Sequence, residues 1–145
     1  MEVFLAAERL ATGLKDMIDI NDMIGQPWGY PPEPPRTYDC WAAIREVYSR
    51  AGIELPNYTI AEHTAVRISG AIEKAKEANC WKQITDLEVP CILEIRGHPG
   101  FHQHVGVYIG NNKFLHSKKS TGVVIERMDS PNWKTKIKGY WQYVG

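Results

Sequence analysis

Cys40 lies in the run Thr37-Tyr38-Asp39-Cys40-Trp41-Ala42-Ala43-Ile44, where a proline-rich stretch gives way to a helix-forming one, and His104 and His116 follow in strand-like sequence far downstream. A thiol at the start of a helix, with imidazoles able to reach it, is the material of a cysteine nucleophile. The first turn of a helix leaves backbone N–H groups unpaired and carries partial positive charge, which favours a thiolate over a thiol. An ordinary thiol with a pKa of about 8.5 is only a few per cent ionised at neutral pH, and lowering that value by ~2 units takes ~2.7 kcal/mol. A helix terminus plus one imidazolium is of that size, so the sequence predicts an acidic Cys40.

His104 opens the segment His104-Val105-Gly106-Val107-Tyr108-Ile109, and His116 follows twelve residues later, past a turn containing Gly110-Asn111-Asn112. In an antiparallel hairpin an odd-numbered loop puts the two on one face, opposite or one diagonal step apart, with Cα atoms ~5 to 8 Å from each other. An even loop without a bulge puts them on opposite faces. In the roles this spacing offers, Cys40 attacks, His104 takes the proton, His116 orients His104, and the backbone N–H of Cys40 faces the oxyanion. The residues alone leave alternatives open. His102 shares the face of His104 by period-two alternation. Glu94 or Asp39 could orient the base in place of His116, although Asp39 is more simply a helix cap. A zinc site of Cys40, His104 and His116 has the ligand types but no fourth ligand at useful spacing. His63 and His98 have no such context.

The elements that must position these groups follow from periodicity. Apolar residues at Val3, Leu5, Leu10, Leu14, Met17, Ile18, Ile20 and Met23 predict a short arm and then a helix ending near Gly25. Pro27 and the cluster Pro31, Pro32, Pro34 and Pro35 forbid regular structure and predict a stiff loop shaping a cleft, in preference to a polyproline ligand. A helix then starts at Cys40, with Asp39 as N-cap and Gly52 as its stop, and a second runs from the capping-box pattern at Thr59 towards Asn79. After Asp86 the chain turns to short β-rich runs: Cys91 to Arg96, His104 to Ile109, Lys113 to His116, Gly122 to Glu126 and Gly139 to Val144. Helices followed by a meander predict an α+β fold with an antiparallel sheet.

At 145 residues the chain fits one domain that needs neither metal nor disulfide to fold. Its 17 basic and 17 acidic residues balance, which argues against a nucleic-acid or anionic-membrane partner. Cys40, Cys80 and Cys91 are an odd number without metal-ligand spacing, so a reducing compartment is the simpler expectation. The amino terminus has an acid where a signal peptide has basic residues, and no apolar run long enough for a signal or a membrane span.

The assembled residues resemble the NlpC/P60 family of cysteine peptidases. The resemblance rests on Asp39-Cys40 at a helix start, His104-Val105-Gly106-Val107-Tyr108 in a strand, and Phe114-Leu115-His116 after the hairpin. It is closer to a bacteriophage tail-associated branch, through Asp39-Cys40-Trp41, Ile24-Gly25-Gln26-Pro27-Trp28, the run from Ala51 to Pro56, and the closing run from Ile125 to Trp133 with Gly139-Tyr140. Two departures stand out: Trp28 sits where many wall hydrolases have a cleft tyrosine, and the proline cluster replaces the usual Gly-rich turn before the nucleophile.

The resemblance implies a papain-like domain over residues 19–145 behind an arm of residues 1–18, with N-terminal helices packed on the sheet. It implies a Cys40-His104-His116 triad that cleaves a stem-peptide bond of peptidoglycan, between D-glutamate and the diamino acid, with no cofactor or metal. Trp28, Asp39, Trp41 and Tyr108 are the candidate substrate-binding residues, Trp41 and Tyr108 fitting the core equally well. The implied partners are the stem peptide and tail-tip proteins, and the implied location is the virion, or the host cytoplasm during assembly. The competing expectation is a tail-tip assembly protein using the fold as a docking module, with Trp133, Trp141 and the arm as its binding features.

Overall fold

The computed structural model describes residues 18–58, 72–96 and 103–145. Six strands, β1 (Trp81–Ile84), β2 (Cys91–Arg96), β3 (Gln103–Gly110), β4 (Lys113–Lys118), β5 (Gly122–Arg127) and β6 (Ile137–Tyr143), form one sheet in the order β1-β6-β2-β3-β4-β5. Every neighbouring pair is antiparallel. The α+β architecture read from the chain is the one observed. The strand β1 was not legible: it is a four-residue edge strand whose two middle residues, Lys82 and Gln83, are exposed, so it has no apolar run to announce it.

Helix α1 (Cys40–Arg50) begins where expected because Asp39 caps it, its carboxylate accepting the Ala42 N–H at 2.8 Å. It ends in a Schellman motif: Gly52, at φ +89°, donates to the Ser49 carbonyl at 2.9 Å, and Ile53 donates to that of Tyr48 at 2.9 Å. The arm, residues 1–17 of the expected first helix and residues 59–71 of the expected third lie outside the described residues. Within the described part, residues 72–76 are helical, and Asn21–Met23 form a single 3₁₀ turn in place of a helix running to Gly25.

Period-two alternation divides the apolar residues between the two faces of the sheet. On one face Ala43, Ile44 and Val47 of α1 meet Ile92, Val105, Val107, Ile109, Leu115 and Val123. On the other, Cys91, Leu93, Ile95, Tyr108, Phe114, Met128 and Trp133 form a second cluster. The residues leading into α1 are tied to the sheet: the Ser117 hydroxyl donates to the Tyr38 carbonyl at 2.7 Å, and the Tyr38 N–H donates to that of Pro27 at 3.1 Å.

The entry segment also covers the edge of β5. Gly25 donates to the Val123 carbonyl at 2.8 Å, and Val123 donates back to that of Gln26 at 2.9 Å. The close approach requires Gly122, whose φ is +71° and whose added Cβ would stand 2.2 Å from the Gln26 carbonyl oxygen. Gly122→Ala is therefore expected to cost about 2–4 kcal/mol of stability, read as a lowered urea midpoint at unchanged slope. A shift below about 0.5 kcal/mol would mean that this segment is free to lift from β5.

Candidate active site

The hairpin joining β3 to β4 turns on Asn111 and Asn112, both at positive φ, 56° and 62°, as a two-residue primed turn requires. Such an even loop would by itself send His104 and His116 to opposite faces. A bulge prevents this: Tyr108 pairs with Phe114 and Gly110 with Lys113, leaving Ile109 as the extra residue. The rest of the register then matches Val107 to Leu115, so His104 stands one diagonal step from His116 on the same face. His104 Nε2 and His116 Nδ1 are 2.8 Å apart.

His116 is fully buried, its ring packed edge-on against Trp133 at 4.9 Å and tilted against Phe114 at 4.8 Å between centroids. Its other nitrogen, Nε2, lies 2.5 Å from Glu126 Oε2. Burial holds the His116 pKa below the ordinary histidine range even though the Glu126 carboxylate pulls the other way. For Glu126 burial works upward, and the His116 hydrogen bond with the nearby Trp133 indole and Lys118 ammonium outweighs it, so the carboxyl titrates below the usual range. At neutral pH the pair is a neutral imidazole and a carboxylate.

Cys40, 8% exposed, belongs to the cluster on the α1 face, whereas His116 packs with Phe114 and Trp133 of the second cluster. The thiol lies against β3, where the backbone N–H of Val105, the residue after His104, stands close enough to favour the thiolate, as do the N–H groups of Cys40 and Trp41. These donors lower the thiol pKa as the helix-start argument requires, but desolvation and the adjacent Asp39 carboxylate win, and the thiol is pushed up to about 12. The expectation of an acidic resting thiol is thus corrected. The capping carboxylate that makes the helix start is itself a negative charge beside the sulfur.

Burial also pushes the Cys91 thiol up, to about 11, while Cys80 is only half-buried. An alkylating reagent at pH 7 is expected to modify Cys80 well before Cys40 or Cys91, with the Cys40 rate rising about tenfold per pH unit above neutrality. Preferential labelling of Cys40 at pH 7, followed by mass spectrometry, would instead reveal a thiolate held by an imidazolium.

Beside Cys40 opens a cleft of about 840 Å³, including its mouth. Aromatic groups form its walls: Trp41 packs on Tyr58 at 5.4 Å and Trp81 at 5.9 Å, and the Trp81 indole N–H donates to the Tyr58 hydroxyl at 2.8 Å. Also lining the cleft, Glu94 accepts from the Trp141 indole at 3.1 Å and pairs with Lys76 at 3.1 Å. Glu94 is therefore engaged in the cleft wall, away from the imidazole pair that it was one candidate to orient.

Of the four candidate substrate-binding residues, Asp39 and Trp41 line the cleft. Tyr108 does not. It lies in the second cluster, and its hydroxyl accepts the Asn112 N–H at 3.2 Å, bracing the hairpin turn. Trp28 is likewise not among the described lining residues; its ring lies under the Lys119 ammonium at 5.1 Å, and Tyr30 lines the cleft instead. Two tryptophans considered as docking residues have internal roles, Trp133 in the second core and Trp141 in the cleft wall. The alternative base His102 lies outside the described residues, as do His63 and His98. Among the described residues no group of three or more His, Cys, Asp or Glu is arranged to hold a metal ion. Sequence reasoning missed Tyr30, Tyr58, Trp81, Lys76 and Glu126; only Glu126 had a readable signal, since a three-residue loop of residues 119–121 carries the His116 face onto β5.

The NlpC/P60 family model matches residues 25–142. The murein DD-endopeptidase MepS/murein LD-carboxypeptidase of Escherichia coli (strain K12) is 53% identical over 34 residues, 23% of this chain and 18% of that protein. The peptidoglycan DL-endopeptidase CwlO of Bacillus licheniformis is 30% identical over 104 residues, 72% of this chain and 20% of that protein. The chain thus spans about a fifth of the length of these relatives. Among solved structures, an NLP/P60 family protein similar to a lipoprotein from Staphylococcus aureus superposes with a TM-score of 0.58 at 19% identity, over 85% of this chain and 38% of that one. The NlpC/p60 domain of the peptidoglycan hydrolase SagA gives 0.53 at 18% identity, over 83% and 89%. These two share the fold.

Proposed function

The chain belongs to the NlpC/P60 family, and from that premise we propose that it is a cysteine peptidase cleaving a stem-peptide bond of peptidoglycan, with Cys40 as nucleophile, His104 as base and His116 as its orienting partner. The observation that carries this reading is the 2.8 Å contact between the two imidazoles, His104 on β3 and His116 on β4, with the backbone N–H of Val105, the residue after His104, close to the Cys40 sulfur. Relatives named as a DD-endopeptidase and a DL-endopeptidase of murein or peptidoglycan supply the substrate class.

Because the resting thiol is neutral, the proton leaves as the bond forms. The Cys40 sulfur attacks the scissile carbonyl carbon while His104 takes the thiol proton. The oxyanion that develops is met by the backbone N–H of Cys40, whose neighbours Trp41 and Val105 offer further N–H groups at the same point. The imidazolium then gives its proton to the leaving amine, the C–N bond breaks, and a thioester remains. Water, deprotonated by His104, hydrolyses the thioester to release the carboxylate and restore the thiol. The aromatic walls exclude bulk water and accept an extended peptide, with the Lys76–Glu94 pair as a charged landmark.

The reading extends to a place on a phage tail tip, with the host cytoplasm as its location before assembly. It rests on Asp39-Cys40-Trp41 and the Ile24 to Trp28 entry. Purified protein incubated with purified sacculi is expected to release peptides with new amine and carboxylate ends in the stem. Intact sacculi after prolonged incubation would overturn the peptidase reading. Detection of the chain in purified virions tests the tail placement, and virions without it would overturn that part alone.

A further inference from the structure

We infer that Glu126 is a positioning residue that sets the tautomers of both histidines through His116, leaving Nδ1 of His104 as the nitrogen that accepts the Cys40 proton. A carboxylate can only accept hydrogen bonds, and a neutral imidazole has one N–H and one lone pair. Glu126 at 2.5 Å therefore requires the proton of His116 on Nε2. His116 Nδ1 is then an acceptor, and the 2.8 Å contact requires the N–H of His104 to be on Nε2. One lone pair is left on the His104 ring, at Nδ1. The chain of three groups has a single consistent assignment, and the carboxylate at its end fixes it. When His104 takes the thiol proton, the positive charge that forms is offset through His116 by the anion of Glu126.

The surroundings leave this role to Glu126. His116 is met by His104 from β3, by Glu126 from β5, and by the rings of Phe114 and Trp133. Among the described residues, the other charges nearby are Lys118, 3.7 Å from Glu126 Oε2 and over the Trp133 ring, and Lys136, also over that ring. Among the described residues the buried indole N–H of Trp133 has no hydrogen-bond acceptor, yet it stands near enough to Glu126 to favour the ionised carboxyl. Both neighbours keep the carboxylate charged, which is the state the tautomer chain needs.

The inference rests on the peptidase reading for its kinetic arm and on geometry alone for its spectroscopic one. Glu126→Gln keeps the shape and removes the charge, and its amide can donate to Nε2, which reverses the chain and puts a proton on His104 Nδ1. With a soluble stem tetrapeptide as substrate, kcat is expected to fall about 10–100-fold with KM changed less than about threefold. The acid limb of kcat/KM moves to lower pH, because loss of the anion makes the imidazole pair harder to protonate. Imidazole ¹⁵N spectra of the same protein are expected to show His116 as the Nε2–H form in the wild type and a mixture in Glu126→Gln. Unchanged kcat or acid limb in an active, folded Glu126→Gln protein overturns the inference and leaves the peptidase reading intact. If the wild type itself is inactive, the peptidase reading fails and the spectra decide alone: a His116 tautomer indifferent to Glu126→Gln overturns the inference.

Discussion

Cys40→Ala is expected to yield a folded protein whose release of peptides from purified sacculi falls by at least about 10⁴-fold, to the level of the buffer control. The substitution deletes one sulfur and keeps the Cβ, so the Asp39 bond to the Ala42 N–H and the packing of Ala43, Ile44 and Val47 are untouched. The far-ultraviolet spectrum and urea midpoint should stay close to wild type, within about 1 kcal/mol. Removing a thiol whose pKa is about 12 also removes a group that binds its proton in the native state at neutral pH, as it does in the unfolded chain. The variant and the wild type therefore share one stability–pH curve below about pH 8. Above that, the unfolded Cys40 thiol ionises while the native one stays protonated to about pH 12, so the wild type loses more stability than the variant as pH rises. Residual activity above about 1% of wild type would mean that the nucleophile is elsewhere.

His104→Ala is expected to lower activity at pH 7 by about 10³- to 10⁴-fold, and to do so with a distinctive pH dependence. Without a base, attack depends on the thiolate present at equilibrium, and with a thiol pKa of about 12 that is about one molecule in 10⁵ at pH 7. The variant's rate should therefore climb about tenfold per pH unit from 7 to 10, while the wild type stays nearly flat above its acid limb. The double variant Cys40→Ala/His104→Ala should be no worse than Cys40→Ala, because the two groups act as a unit. A His104→Ala protein with near-normal activity and a flat profile would transfer the base to another residue.

These expectations come from different levels of the chain. Local chemistry marks the start of α1: Asp39 caps, Gly52 stops, and both act over three or four residues, so Cys40 at a helix start was legible in the sequence. Likewise the β-rich runs after Asp86 announced an antiparallel sheet, whereas β1, short and half polar, draws its strand conformation from pairing with β6. The same-face placement of His104 and His116 was legible only as a condition, because loop length sets parity and a single bulged residue reverses it. Ile109 supplies that reversal, and the Gly110-Asn111-Asn112 turn gives no count of it.

What the sequence by itself determined is the set of reactive groups and the segments that carry them, since caps, turns and alternation act between near neighbours. What only the tertiary structure decided is their state and company. The thiol is neutral because the fold buries it beside its own capping carboxylate, and desolvation is a property of everything packed around an atom. Tyr108 became a core brace and Tyr30 a cleft residue, because strand register and the path of the proline loop assign faces that composition cannot. Glu126 joined the imidazole pair because β5 pairs Glu126 with Phe114, one diagonal step from His116. That contact spans ten residues of sequence and 2.5 Å of space.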